Sequence, residues 1–280
     1  MVEQVATNPT LLQDQVASLL VQPLEAASVV LAAGPRIFDT ASELRIPKLV
    51  SGTTPGFVAE GGEIASTHDV TFNEVKLMPT ERKSIKSILR YSNELVRQSV
   101  IGIDSVLKAR LVKDVSDALD TALLKGAGTT NSIKGLTAQS GVTTGALDVT
   151  DPDSLLDAIA ALNAQEIIPN RWFISGADFA SLRKLKESAS SARYLLEPDP
   201  SKQSGTTLFG IPVTITNKLS AGKAILADMS TVAIARDTSP SVTVLNERYA
   251  EFDEVGLRVT TRYDLGLLHP KAVAVLTATP

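Results

Sequence analysis

Two stretches of the chain show a clear periodicity of hydrophobic and polar positions. Over residues 104–125 the apolar residues recur at helical spacing and Gly126 provides a stop, which predicts a helix of about six turns. Over residues 255–267 apolar and polar residues alternate, which predicts one long strand. Together the two patterns indicate a mixed α+β fold.

The predicted helix is apolar on one side and charged on the other. Arg110 with Asp114 and Lys113 with Asp117 are oppositely charged pairs at i,i+4 spacing, which support an exposed face. Such a helix is covered on one side only and suits the spine of a domain. The apolar side holds Leu107, Leu111, Val115, Ala118 and Ala122, and the charged side holds Arg110, Lys113, Asp114, Asp117 and Asp120.

A third pattern, over residues 46–90, is typical of a long charged hairpin. Residues 57–60 read as an outgoing strand that Gly61-Gly62 ends, and residues 70–91 read as the returning run. A hairpin with many charges has little apolar surface to bury in its own core. The pattern therefore favours a segment that contacts a neighbouring subunit.

The returning run of this hairpin is basic and contains a phase change. Val70 and Phe72 share a face from which Val75 is out of phase, which predicts a bulge near Asn73-Glu74. Lysine and arginine on such a run either protect a solvated edge strand or face an acidic patch on another subunit. The length of the hairpin favours the second interpretation, contact with another subunit. The basic residues are Lys76, Arg82, Lys83, Lys86 and Arg90.

The remaining segments supply an arm and a mixed α/β region. Residues 1–45 read as an arm with one short helix that Gly34-Pro35 ends. The polar, Ser-rich residues 188–205 read as a loop. The other predicted elements are helices at 153–164 and 177–187 and strands at 172–174, 208–216, 224–227 and 272–276.

Composition places the chain among ordinary soluble proteins. The 280 residues include 27 Lys and Arg and 31 Asp and Glu, a net charge of -4 that does not indicate a protein whose main task is to grip nucleic acid. There is no cysteine, so neither a disulfide nor a thiolate metal site can form. No run approaches the roughly 20 apolar residues of a membrane span and no signal peptide is evident, so we expect a cytoplasmic product and no membrane partner.

Signatures of catalysis and cofactor binding are absent from the sequence. The two histidines, His68 and His269, stand in unrelated contexts, and no nucleophile elbow or phosphate-binding loop is found. The adjacent carboxylates Asp253 and Glu254 would point to alternate faces of a strand and would not converge on one substrate. We therefore expect no catalytic residue, metal or cofactor, and a soluble α/β enzyme is the least favoured class.

Four segments, in order along the chain, are similar to parts of one known family, the major capsid protein of tailed bacteriophages with the Hong Kong 97-type fold. The first resembles that family's extended hairpin (the E-loop), the second the start of its peripheral domain (the P-domain), the third the end of its spine helix, and the fourth its C-terminal signature. The segments are Glu60-Gly61-Gly62-Glu63-Ile64 with Asp69-Val70-Thr71-Phe72 and Val75-Lys76-Leu77; Tyr91-Ser92-Asn93-Glu94-Leu95; residues 120–129 with Gly135-Leu136; and Arg262-Tyr263-Asp264 with His269-Pro270-Lys271-Ala272.

The resemblance implies a virion subunit that is assembled in the cytoplasm of the host bacterium. It would form hexamers and pentamers of an icosahedral shell that encloses double-stranded DNA without specific contacts, with a scaffold, a portal and a decoration protein as further partners. The implied domains are an arm at 1–45, the E-loop at 46–90, the P-domain at 91–135 and 240–265, and the axial domain (A-domain) at 136–239 and 266–280.

Two departures from the family pattern affect these expectations. About 45 residues precede the hairpin, so a separate scaffold, or none, is expected in place of a fused scaffolding segment. Some members cross-link a hairpin lysine to an asparagine near the late strand, with a glutamate as base. The hairpin offers Lys76, Lys83 and Lys86, but the late strand holds no asparagine and Asn246 lies upstream, so we predict no autocatalytic cross-linking.

Without covalent links, the hairpin must hold a neighbour by non-covalent contact. We hypothesise that its basic residues face acidic residues on another subunit, and that burial of its apolar residues contributes more than these ion pairs. The alternative within the same fold is an encapsulin-like nanocompartment, which holds a cargo protein in place of a genome. The contact candidates are Val70, Phe72, Val75, Lys76, Arg82, Lys83 and Lys86, opposite Glu251, Asp253 and Glu254.

Overall fold

The computed structural model describes residues 28–51, 57–58, 60–61, 71–78, 84–94, 103–129, 132–186, 207–237, 241–245 and 247–278. The helices in these ranges are α1 (Ile103–Lys125), α2 (Asp153–Asn163) and α3 (Gly176–Arg183). The strands are β1 (Arg36–Asp39), β2 (Leu44–Ser51), β3 (Thr71–Leu77), β4 (Ile85–Ser92), β5 (Thr143–Leu147), β6 (Arg171–Ile174), β7 (Thr207–Leu208), β8 (Ile211–Ile215), β9 (Lys223–Ala227), β10 (Val232–Arg236), β11 (Ser241–Leu245), β12 (Glu254–Thr261), β13 (Tyr263–Leu267) and β14 (Val273–Ala278).

The largest sheet has six strands in the order β5-β14-β9-β6-β8-β7. It is mixed, since β14 runs parallel to β5 and antiparallel to β9, while β6 runs parallel to β8. Helices α2 and α3 cover one face, where Leu155 and Leu182 pack with the fully buried Trp172. The next residue of β6, Phe173, points to the opposite face and joins the main core of the molecule.

The long helix α1 is confirmed within one residue of its predicted start, and the Gly126 N–H closes it by donating to the Ala122 carbonyl at 2.9 Å. On its predicted apolar side Ala118 is exposed, whereas Leu111 and Val115 pack in the main core together with Leu257 of β12 and Leu89 of β4. These two strands belong to a three-stranded sheet in the order β11-β12-β4. The predicted ion pairs are present, with Arg110 Nε 3.1 Å from the Asp114 carboxylate and Lys113 Nζ 3.7 Å from that of Asp117.

A second three-stranded sheet, in the order β1-β10-β13, lies between the main core and the hairpin. Ile234 and Leu265 face the main core. On the other face, Ala233 and Ala235 pack in a smaller cluster against Leu77 and other residues of the hairpin. The described part of the predicted arm starts with a short 3-10 turn, Leu31–Ala33, that a left-handed Gly34 (φ 85°) closes, and it continues into β1.

The outgoing strand of the hairpin lies earlier in the chain than the sequence predicted. The partner of β3 is β2, whose Leu44 and Ile46 pack against the smaller cluster. Phe57 and Val58 belong to no strand, so the predicted strand at residues 57–60 is wrong. The physical reason is that burial against β10 and β13 is available to the residues near Leu44, whereas Phe57 is fully exposed.

The returning run is two strands rather than one. β3 ends at Leu77, Met78 takes a positive φ of 54°, and β4 then pairs with β12 in a different sheet. The irregularity in the hairpin lies on β2, between Leu49 and Ser51, and not at Asn73-Glu74 as predicted. β3 pairs in unbroken register from Phe72 to Leu77, so Phe72 and Val75 point to opposite faces of a regular strand and the phase change needs no bulge.

The late alternating segment is likewise two strands, because the chain leaves one sheet at Arg262 and enters another. β12 pairs with β4 and β11, while β13 pairs with β10. β13 is buried on both faces, so Asp264 is not on a solvated face as the alternation predicted.

Two predictions in the α/β region also change. The predicted strand 208–216 is the hairpin β7–β8, and α3 ends at Arg183 instead of reaching Glu187. Helix α2 and strands β6, β9 and β14 lie close to their predicted positions. The predicted loop at 188–205 and the start of the arm helix fall outside the described residues.

Candidate assembly interface

The root of the hairpin, residues 75–78, is fixed to β13 by packing and by a buried carboxylate. Asp264 Oδ2 accepts a hydrogen bond from the Met78 N–H at 2.9 Å, and its Oδ1 accepts one from the Leu265 N–H at 3.0 Å. A Cβ added to Gly266 would lie 2.7 Å from side-chain atoms of Val75 and Leu77. The hairpin therefore leaves the body of the protein from a rigid base.

The distal hairpin, by which we mean Phe57, Val58 and Phe72, exposes apolar side chains. Phe57 is fully exposed and Phe72 is 73% exposed. Burying one such side chain is worth about 1.5–3 kcal/mol, so leaving several of them exposed on one segment is unfavourable for an isolated subunit. Val75, in contrast, is half-buried against its own chain.

The predicted hairpin cations lie in two different places. Lys76 Nζ lies 2.8 Å from Glu74 Oε1 on its own strand, and this hydrogen bond, opposed by some loss of solvation, lowers the pKa of Glu74. Lys86 is exposed on β4, where it pairs with Thr260 of β12. Val70, Arg82 and Lys83 fall outside the described residues.

The predicted acidic residues lie on a turn between β11 and β12. Asn93 Nδ2 donates to Asp253 Oδ1 at 2.7 Å, and Arg90 Nη1 lies 3.9 Å from Glu254 Oε2. The guanidinium of Arg90 also stacks over Tyr249, 5.1 Å from its ring centre. This acidic turn, which includes the exposed Glu251, is thus held by Arg90 of β4 and by Asn93 just after that strand.

One buried carboxylate was missed by sequence reasoning. Asp120 lies on the side of α1 predicted to be exposed, yet it is 1% exposed. It accepts hydrogen bonds from Ser28 Oγ at 2.6 Å and from the N–H groups of Val29 at 2.9 Å and Val30 at 3.2 Å. A usable signal was present in the leucines at i-1, i+3 and i+4 from Asp120, which place apolar cover beside it.

Within the described ranges, no group of three or more His, Asp or Glu side chains is placed to hold a metal ion. None of the helices described is both long and apolar enough to cross a membrane. Two surfaces stand out among the described residues: a hairpin on a rigid root and an acidic turn.

The fold that carries these surfaces is that of the Hong Kong 97-like capsid proteins. The model of the phage capsid family matches residues 10–278, and the chain belongs to that family. This confirms the resemblance seen in the sequence and makes the protein a structural, major capsid protein of a virion. The encapsulin alternative is not favoured.

Solved structures with a similar fold come from phage and GTA capsids. A structure from Microbacterium phage Oxtober96 has a TM-score of 0.70 at 18% identity, over 90% of this chain and 91% of that one. A structure from Mycobacterium phage Adephagia has a TM-score of 0.72 at 17% identity, and the capsid of a native GTA particle has 0.72 at 16%, each over 90% of both chains. Comparison with curated protein sequences gives no match.

Proposed function

We propose that this protein forms the hexamers and pentamers of an icosahedral phage head that encloses double-stranded DNA. Membership of the phage capsid family supports the proposal. The observation that carries it is the hairpin, which stands on a buried root and presents Phe57 and Phe72 to solvent. A segment of this kind is stabilised when a neighbouring copy covers its apolar side chains.

Each segment of the chain has its own role in this assembly. The predicted hairpin at 46–90 reaches a neighbour through β2, β3 and the residues between them, while its last strand, β4, joins the segments 91–135 and 240–265 in the P-domain around α1. The segments 136–239 and 266–280 form the A-domain. The arm at 1–45 extends the contacts. Assembly takes place in the cytoplasm of the host bacterium, with a scaffold, a portal and a decoration protein as candidate partners and without catalytic activity or a cofactor.

The contact between copies combines apolar burial with ion pairs. Burial of Phe72 supplies most of the stabilisation, because exposed ion pairs contribute only about 0–1 kcal/mol each. Lys83 and Lys86 of one copy face the acidic turn, residues 251–254, of another. Lys76 contributes less, since Glu74 already pairs with it.

The test is to express the chain, purify the particles and determine both their structure and their contents. Closed shells with hexameric and pentameric units are expected from the protein. Particles from the producing host are expected to protect double-stranded DNA from nuclease. Shells that hold one specific protein and no DNA would support a nanocompartment, and a small soluble oligomer would contradict the proposal.

A further inference from the structure

The turn that joins β7 to β8 has a bulky residue at a position that favours Asn, Asp or Gly. Phe209 and Gly210 both have positive φ, 50° and 79°, which is the conformation of a type I′ turn. Asn, Asp and Gly are favoured at the first of these positions, whereas a bulky side chain there is strained. Phe209 is also 40% exposed, although the adjacent Leu208 is buried. The β7–β8 turn thus holds an exposed aromatic side chain in an unfavourable backbone conformation.

A cleft of about 300 Å³ lies at the other edge of the same sheet, between β5 and α2. Small side chains leave this space open, since no large residue projects from this part of β5 or from the facing turn of α2. The strand side is Thr143, Thr144, Gly145 and Ala146, and the helix side is Ser154, Asp157, Ala158 and Ala161, with Ala274 and Leu276 at the base.

The sheet order separates the two features within one chain. β5 is the first strand and β7 the last of six, which places the edges about 24 Å apart at the usual spacing of about 4.8 Å. A contact between the Phe209 turn and the β5–α2 cleft would therefore join two copies of the chain. A contact between two different surfaces of identical subunits runs head to tail, and it closes into a ring when the rotation permits.

We propose that Phe209 of one copy inserts into the β5–α2 cleft of the next copy around a closed ring. This inference rests on the proposed assembly into hexamers and pentamers and names one pair of surfaces that joins their subunits. The size fits, since a cavity of about 150 Å³ binds benzene and this cleft is about twice as large.

The first experiment uses Phe209→Asn. Because Asn tolerates positive φ, the isolated subunit is expected to keep or raise its Tm. Loss of the aromatic ring is expected to raise the subunit concentration needed for assembly by at least about tenfold. Leu156→Asn is the matched control, since Leu156 is 43% exposed on α2 but does not line the cleft; it should assemble at the wild-type concentration.

The second experiment maps the contact directly. The photo-reactive analogue p-benzoylphenylalanine at position 209 is expected to cross-link to peptides containing residues 143–146 or 154–161 of another copy. Filling the cleft with Ala161→Leu should block assembly while the subunit stays folded. Cross-links to other surfaces, or normal assembly of Phe209→Asn, would overturn the inference.

Failure of the inference differs from failure of the proposed function. If wild-type protein forms shells in which position 209 does not reach the cleft, only the inference is wrong. If the wild-type protein forms no shell, both are wrong.

Discussion

At the residue scale, two carboxylates show how this chain fixes its extended segments. Asp120 and Asp264 are both buried, and both accept backbone N–H groups from distant parts of the chain. A buried N–H group without an acceptor is costly, so each carboxylate adds hydrogen bonds that hold a segment already packed through its apolar side chains. One ties Val29 and Val30 to α1 and the other ties Met78 to β13.

Removing the first of these carboxylates is expected to destabilise the subunit. Asp120→Ala leaves the Ser28 hydroxyl, the buried Val30 N–H and the partly buried Val29 N–H without their acceptor, which should lower the free energy of unfolding by about 2–3 kcal/mol. Urea denaturation of the unassembled subunit measures this. Asp114→Ala, on the exposed side of the same helix, should cost less than about 1 kcal/mol. Equal losses in the two variants would contradict the anchoring role.

The pair formed by Asp117 and Lys218 predicts a pH dependence. Lys218 Nζ lies 2.7 Å from Asp117 Oδ1, and this hydrogen bond lowers the pKa of Asp117 despite some loss of solvation. Because the pKa is lower in the folded state, the pair stabilises the fold above about pH 4, the ordinary value, and the stabilisation is lost as pH falls through the lowered pKa.

Asp117→Asn is therefore expected to lower the free energy of unfolding by up to about 1 kcal/mol at pH 7. The difference from the wild type should shrink below about pH 4 and disappear at lower pH. Urea titrations across this pH range measure it, with Glu247→Gln as the control on an exposed acid. A difference that stays constant from pH 7 to pH 2 would show that the pair acts without its charge.

At the element scale, the hairpin depends on its root more than on its own pairing. Two strands in isolation are marginally stable, so β2 and β3 need the packing of Leu77 and Met78 on β10. Asp264 adds the hydrogen bond to Met78, whose φ is positive. The root therefore sets the direction in which the hairpin leaves the protein.

Asp264→Ala is expected to loosen this root. The Met78 amide loses its acceptor, so hydrogen exchange should speed up by at least about tenfold at Met78 and along β3. Amides in the middle of α1 serve as the internal control and should keep their protection. Unchanged exchange at Met78 would mean that apolar packing alone fixes the root.

The sequence correctly predicted elements in which a periodic pattern runs over many residues and ends at a marked position. It failed where tertiary contacts determine where a strand ends and which strand it pairs with. Helix α1 followed from apolar spacing and Gly126, and its ion pairs followed from charge spacing. The break at Arg262 did not, because alternation continues through it while the strand changes sheets. The outgoing strand of the hairpin also failed, since the burial of Leu44 and Ile46 comes from distant strands.

The sequence predicted the types of residue in the candidate contact, apolar and charged, but not which individual residues are exposed for it. Exposure of Phe72 agrees with a contact surface, but Val75 faces the body of the protein and Glu254 already lies near Arg90. Which of these residues contact another subunit depends on a neighbour that one sequence does not describe. Phe209 gave no sequence signal, because its strain depends on the backbone conformation of the turn.

At the scale of the whole molecule, Lys83 and Lys86, which is on β4, provide a test of subunit contact. The double charge reversal Lys83→Glu and Lys86→Glu is expected to reduce the yield of assembled particles several-fold, because like charges would then face residues 251–254 of the neighbour. Lys184→Glu with Lys186→Glu, at the end of α3, is the matched control. Particle counts by electron microscopy measure the effect, and equal yields for the two variants would rule this pairing out.

The shell is expected to hold together without covalent bonds between subunits. Purified particles boiled in detergent should give a single band at the monomer position on a denaturing gel, because the late strand holds no asparagine to react with a hairpin lysine. A ladder of oligomers that persists after boiling would show that subunits become covalently linked by a reaction other than that of a hairpin lysine with an asparagine of the late strand.

The central claim is that many copies of this one chain close into a shell. Cryo-electron microscopy of the purified wild-type protein tests it most directly. We predict closed icosahedral particles whose capsomers are hexamers and pentamers of this chain, with each hairpin lying on a neighbouring copy. A uniform population of small soluble oligomers, under conditions in which the subunit is folded, would contradict the account.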